Sequence, residues 1–181
     1  MDAVTDFVKE KVVETVQNLA MPLIGKQEDI DKAKEIVGDK AKVYGALKAP
    51  EEALTIPKAF YCLFCFLPQA IGFKRRLENT TYIITDKGVK VHVDPYEPPL
   101  GIGDPSKDNK EIDLTDVSDI KIVKKKEGCM ADCSLDKIVL EGTGVDLFVP
   151  DVDTVGDALK KVKAFADAGK GAAEGASKLA T

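Results

Sequence analysis

Apolar positions at the start of the chain recur with the period of a helix. Between Val4 and Ile24 they follow one another at spacings of three and four residues, with the charged residues away from that stripe. This spacing predicts an amphipathic helix. A second, shorter helix is predicted from about 28 to 37, because its apolar positions keep the same spacing up to Gly38.

The stretch 38–57 loses this periodicity. Gly45, Pro50 and Pro57 interrupt it, and such residues are typical of connecting segments. Proline followed by acidic residues is a favourable helix start, so we expect a connector with one turn of helix at 50–52. Residues 1–57 are therefore predicted to form a helical region that ends in this connector.

Beyond the connector the pattern changes to that of short β-strands. The β-branched run 80–85 (TTYIIT), a tight turn at 86–88 and the alternating valines after it predict a hairpin. An amphipathic helix from about 153 to 168 follows the last strand, and the glycine-rich tail 169–181 is expected to be flexible. Seven strands are predicted in all, at 60–67, 80–85, 88–94, 111–115, 118–125, 135–141 and 145–149.

Two segments of this region resemble the bacterial-type family of pleckstrin-homology-like (PH-like) domains. Residues 80–89 (TTYIITDKGV) resemble the family's hairpin motif TxYxITDxRV, and residues 112–120 (IDLTDVSDI) resemble the strand that follows it. Gly88 stands where the family often has arginine, and the long loop 94–109 is an addition. The resemblance covers about residues 59–168. It implies an α+β protein in which a seven-stranded antiparallel PH-like barrel of two orthogonal sheets, closed by a C-terminal capping helix, occupies 58–168 behind the N-terminal amphipathic helices.

Composition narrows the function classes. The chain has 181 residues, a net charge of −5 and one histidine, His92. An acidic chain is not expected to bind nucleic acid. A single histidine excludes multi-histidine metal sites, and its position between Val91 and Val93 predicts an exposed imidazole on the polar side of a strand. With no nucleophile–base pair in view, we expect a protein that is not an enzyme and needs no cofactor.

Four cysteines could carry chemistry. Cys62 and Cys65 lie among bulky apolar residues, which favours buried, unreactive thiols over ligands or sites of palmitoylation. Cys129 and Cys133 are the alternative metal or disulfide pair, and a four-cysteine zinc site is the least favoured arrangement. The N-terminal residues lack the charge pattern of a secretory signal. A cytoplasmic protein is expected, with peripheral attachment to a membrane left open.

Two basic clusters are the candidate binding residues. Such clusters attract anionic head groups even in an acidic protein, and the resemblance adds that PH-like domains use basic residues near their first hairpins to bind phosphoinositides. The alternative is a solvated loop and an edge strand protected by lysines. The candidate anion-contacting residues are Lys74, Arg75, Arg76, Lys124, Lys125 and Lys126.

The apolar block 59–73 leaves the function open between three classes. We expect a non-catalytic module that binds an anionic membrane surface, a lipid head group or a protein partner. The alternative is a carrier of an apolar lipid or chromophore, with Phe60, Phe64 and Phe66 lining its cavity. The third possibility is a structural protein that forms homo-oligomers through its first helix.

Overall fold

The computed structural model describes residues 23–54, 67–97, 109–124 and 135–179. In these ranges the protein is α+β, with eight strands in two sheets and a long C-terminal helix. The α+β class predicted from the sequence is therefore confirmed. Within the same ranges, no helix is both long and apolar enough to cross a bilayer.

The first sheet has five strands in the order β1-β2-β3-β4-β5. β1 runs parallel to β2, and the other neighbours are antiparallel. The predicted hairpin is confirmed, because Thr80 pairs with Val93 and Ile84 pairs with Val89. The strands are β1 (Ile24–Gly25), β2 (Val43–Lys48), β3 (Thr80–Thr85), β4 (Gly88–Val93) and β5 (Lys110–Asp113).

The second sheet is an antiparallel meander of three strands. β6 (Ile120–Val123) pairs with β7 (Lys137–Leu140), which pairs with β8 (Val145–Leu147). These strands confirm the predictions at 118–125, 135–141 and 145–149, with shorter bounds. The described strands form two separate sheets with no ladder between them, so the closed seven-stranded barrel is not confirmed.

Four α-helices are described. The predicted helix at 28–37 is confirmed as α1. It ends at Gly38 because that residue adopts a φ of 62°. A 3-10 turn (Gly38–Lys40) follows. The single helical turn expected near residue 50 is also confirmed, as α2. The helices are α1 (Gln27–Val37), α2 (Glu51–Leu54), α3 (Leu67–Glu78) and α4 (Val152–Leu179).

The main core lies between the two sheets. Alternate residues of β4 (Val89, Val91 and Val93) point into it, and the buried face of α4 closes it with Val155 and Leu159. A second cluster lies on the opposite side of the first sheet, where α1 packs on β2 and β3. Both faces of β3 are therefore covered, and all six of its residues are buried.

Several sequence predictions differ from the structure. The connector at 38–57 contains the strand β2, which Gly45 concealed: a Cβ at this position would lie 2.7 Å from the Ile24 carbonyl oxygen, so glycine is required by the close approach of β1. The first helix was predicted to include Ile24, which instead belongs to β1. The last helix was predicted to end near 168, but α4 continues through its glycines to Leu179.

The predicted strand at 60–67 falls mostly outside the described residues. Its last residue, Leu67, begins α3, so the strand prediction is wrong at that end. The basic run 74–76 consequently lies on a helix and not in a loop before the hairpin. The remainder of the predicted first helix, residues 4–22, also lies outside the described residues, as does most of the long loop 94–109.

Candidate functional site

α3 presents the first predicted basic cluster near its C-terminal end. The Asn79 side chain donates to the Arg75 carbonyl oxygen at 2.8 Å, and the Thr80 hydroxyl donates to the Arg76 carbonyl oxygen at 2.7 Å. These bonds satisfy carbonyl groups that a helix end leaves without intrahelical partners. Arginines in this last turn also oppose the negative end of the helix dipole. The helix end is therefore compatible with a local concentration of positive charge.

An exposed aromatic side chain lies directly before this cluster. Phe73 keeps 42% of its surface exposed. Its ring meets the ring of Phe148, just after β8, edge to face, with the centroids 5.6 Å apart and the planes at 86°. Offset edge-to-face geometry is a favoured arrangement of aromatic pairs. The contact holds the Phe73 ring in place while much of it remains open to solvent.

The cations of α3 have weak partners. Lys74 Nζ lies 3.6 Å from Glu78 Oε1 on the same helix, and both side chains are exposed. Arg75 Nη1 donates to the Glu97 carbonyl oxygen at 3.0 Å, a neutral group, and no ion pair joins this guanidinium to an acid among the described residues. Exposed pairs of this kind contribute little to stability. Phe73, Lys74 and Arg75 are consecutive on the helix, so their side chains spread over about 200° of its circumference and do not form a single stripe. We call these three residues the α3 face.

Arg76 points toward a different environment. Its positive charge acts on Tyr82, whose pKa is raised chiefly by burial; the arginine charge opposes that rise. Tyr82 belongs to the main core. We therefore treat Arg76 as part of the junction between α3 and β3 and leave it out of the α3 face.

The second predicted basic cluster is used differently. Lys124 Nζ lies 2.6 Å from Asp153 Oδ2 in the first turn of α4, and this hydrogen bond raises the pKa of Lys124. The lysine charge is therefore paired with an acid of another element. Lys125 and Lys126 lie outside the described residues. Of the four predicted anion-contacting residues that the structure describes, three lie on α3, and Lys124 directly follows β6.

A polar row that the sequence did not reveal crosses the outer face of the first sheet. Lys48 of β2 and His92 of β4 both pair with Thr81 of β3, so all three side chains project to the α1 side. Lys48 Nζ lies 3.5 Å from Asp29 Oδ1 of α1. The row begins in a predicted connector, which is why the sequence pattern did not reveal it.

Asp94 links this row to the same helix. One carboxylate oxygen lies 2.7 Å from Nζ of Lys32 on α1, and the other lies 3.3 Å from His92 Nε2. The hydrogen bond from Lys32 is the main cause that lowers the pKa of Asp94 below its ordinary value of 3.8. The prediction of an exposed imidazole is wrong, because the His92 side chain is only 24% exposed. These groups act as a clasp between α1 and the sheet.

Thr81, His92 and Asp94 are the residue types of a nucleophile, a base and an orienting acid. The Thr81 residue is only 2% exposed, however, and its buried hydroxyl has no hydrogen-bond partner among the described residues. A nucleophile must be within reach of the substrate atom it attacks. The arrangement therefore does not support nucleophilic catalysis at Thr81.

The remaining candidates are placed as follows. The cysteines and the cavity candidates Phe60, Phe64 and Phe66 lie outside the described residues. Across the ranges that the structure describes, no group of three or more histidine, cysteine or acidic side chains is placed to hold a metal ion. The space between the two sheets is filled by side chains with almost no exposure, among them Leu114, Ile138 and Leu140.

The chain was compared with protein families, with curated proteins and with solved structures. No family model, no curated protein and no solved structure matches this chain.

Proposed function

We propose that this chain is a non-catalytic module that binds an anionic phospholipid surface through the α3 face. One observation carries the proposal: an exposed phenylalanine stands beside two cations whose charges are at most weakly compensated. Lysine and arginine next to an exposed aromatic ring suit the boundary between head groups and acyl chains. Three other lysines in the described part of the fold differ, because Lys124, Lys32 and Lys48 each pair with an acid of another element.

Electrostatics sets the expected strength. Each basic residue near an anionic leaflet contributes roughly 1 kcal/mol. The whole chain carries a net charge of −5, so attraction must come from the local field of α3. Because that field is screened over about 10 Å at 0.1 M salt, binding through it weakens as salt increases.

We also propose that β2 to β8 and the helix α4 form a PH-like domain. The support is the strand order: seven antiparallel strands, β2 to β8, divide over two sheets and are followed by the helix that closes the core. This is the order that the resemblance implies, with β2 in place of the strand predicted at 60–67. The two-residue strand β1 and the insertion that contains α3 are departures from it.

Vesicle sedimentation tests the function. The full chain is mixed with phosphatidylcholine vesicles with and without about 30% phosphatidylserine, the anionic lipid of cytoplasmic leaflets. We expect sedimentation only with the anionic vesicles. The double variant Lys74→Ala/Arg75→Ala is expected to lose about 10- to 30-fold in affinity, the equivalent of two cation contacts.

A matched control removes the same charge elsewhere. Lys160 and Lys161 are exposed on α4, so Lys160→Ala/Lys161→Ala changes the net charge equally without touching α3. Equal losses in both double variants would show that net charge alone governs binding. No sedimentation of the unmodified chain with anionic vesicles would refute the proposal, and an acidic protein surface would then be the next partner class to examine.

A further inference from the structure

We infer that Phe73 inserts into the bilayer as an apolar anchor, so that binding has a component that salt does not screen. This inference rests on the proposed function and adds the mode of contact. It concerns the last residue of the apolar block 59–73. In the structure it is one of the most exposed large apolar residues described, together with Leu23, Val123 and Phe165.

The position of the ring distinguishes Phe73 from the other exposed apolar residues. It is followed directly by Lys74 and Arg75, so the apolar group and the two cations share one short stretch of helix. Val123 lies beside Lys124, whose charge is held by Asp153, and Phe165 lies two residues from Asp167, which pairs with Lys163. Lys163 pairs with an acid of its own helix, as Lys74 does, so ion pairing alone does not separate Phe165 from Phe73. Phe73 has the larger exposed fraction, 42% against 36%.

The contact with Phe148 favours insertion because it orders the Phe73 ring while part of that ring stays exposed. An edge-to-face pair at 5.6 Å restrains the Phe73 ring while leaving 42% of the residue exposed. A side chain that is already ordered loses less conformational freedom when it is buried by a partner. The Phe73 ring therefore loses little conformational entropy when it inserts into a membrane.

A bilayer fits this surface better than a protein groove. Phenylalanine is one of the apolar side chains that interfacial helices bury at the boundary between head groups and acyl chains. The flanking cations match the charge of an anionic leaflet, and Arg75 is exposed whereas Lys74 is half-buried. Charge complementarity and exposed apolar area thus point to the same occupant.

The absence of tryptophan from the chain makes a direct test possible. Phe73→Trp introduces a single tryptophan at the proposed anchor. We expect a blue shift of its emission on addition of anionic vesicles, and quenching by lipids brominated on their acyl chains. Phe165→Trp on α4 is the control, because that residue is also exposed (36%); its emission is expected to stay unchanged.

The outcomes separate the two proposals. Sedimentation with anionic vesicles but no shift or quenching at position 73 would overturn the insertion and leave the proposed function standing. Quenching at both positions would overturn the assignment of the anchor to α3. If the unmodified chain does not sediment, the proposed function and the inference fall together.

A second variant covers the case in which tryptophan disturbs the fold. Phe73→Ala is expected to weaken vesicle binding about tenfold, since it removes apolar area that leaves water on insertion, and the loss should persist at about 0.5 M salt, where surface charges are strongly screened. Phe73→Leu should restore part of the affinity. A loss that disappears at high salt, or no loss at all, would contradict insertion.

Discussion

The two charged helices α1 and α3 use their charges in opposite ways. On α1, Asp29 pairs with Lys48 of β2, and Lys32 pairs with Asp94 after β4. On α3, Lys74 has an acid of its own helix as its partner, and Arg75 donates to a neutral backbone carbonyl. The charges of α1 attach that helix to the sheet, whereas those of α3 point toward solvent. The number of charges on a helix therefore says less about binding than the element on which each partner lies.

The apolar residues follow the same division. Ile30 and Ala33 of α1 are buried against Ala46 and Ile83 of the sheet. Phe73 of α3 remains partly open to solvent. We therefore expect substitutions on α1 to act on stability and substitutions on the α3 face to act on binding.

The largest effect is expected at Ile30. Ile30→Ala removes a side chain that is almost fully buried between α1 and the sheet, and deletions of this size cost about 2–5 kcal/mol. Phe73→Ala, as the matched variant on α3, should cost less than about 1 kcal/mol because 42% of the residue's surface is already exposed. Urea unfolding followed by circular dichroism measures both. Equal losses would show that the two helices do not differ as described.

Next in size is the contribution of Asp94. Asp94→Asn removes the carboxylate that joins Lys32 and His92, and we expect a loss of about 1 kcal/mol at neutral pH, as for a partly exposed ion pair. Because the folded pKa lies below the ordinary value of 3.8, the stabilisation is present above about pH 4 and is lost as pH falls through the folded pKa. Unfolding curves at pH 7 and pH 3 should therefore differ more for the unmodified chain than for the variant. If stability changes between pH 7 and pH 3 by the same amount in the unmodified chain and in the variant, Asp94 does not stabilise the fold through these contacts.

Thr81, which lies beside His92 in the sheet, gives a further test of stability on this side of the sheet. Within the part of the chain that the structure describes, its buried hydroxyl has no hydrogen-bond partner, which costs free energy that a methyl group would not. Thr81→Val keeps the shape of the side chain, so we expect stability to stay equal or to rise by up to about 1 kcal/mol. A shift of the urea midpoint to lower concentration would mean that the hydroxyl has a bound partner in solution.

The smallest effect on stability belongs to Lys74. Its bond to Glu78 is an exposed pair within one helix, so Lys74→Ala should change the free energy of unfolding by less than about 0.5 kcal/mol. The same variant is expected to weaken vesicle binding. A large change in the urea midpoint would place Lys74 in the structural framework and remove it from the α3 face.

Local patterns predicted much of this fold. The hairpin β3–β4 has alternating residues and a tight turn next to each other in sequence, and α1 has an apolar stripe with glycine at its end, so both were readable from neighbouring residues. β2 was missed because Gly45 interrupts its pattern, and its need for glycine arises from β1, which is distant in sequence. α4 continues past Gly169, although each glycine interrupts the sequence pattern.

The candidate site was only partly predictable, for a related reason. The run at 74–76 revealed a concentration of positive charge, but its helical geometry and the exposure of Phe73 depend on the packing of α3. The pairing of Lys124 with Asp153 depends on contact between β6 and α4, which no local pattern specifies. His92 was placed on the correct face of its strand, yet its partial burial depends on α1 and Asp94.

Hydrogen–deuterium exchange of the full chain, with and without anionic vesicles, tests the comparison of the two helices most directly. We predict that vesicles slow exchange in peptides covering residues 71–78 of α3 and leave α1 (27–37) unchanged, and that Lys74→Ala/Arg75→Ala abolishes this protection. Protection of α1 in place of α3, or none in either helix while the protein is bound, would contradict the assignment of the binding face.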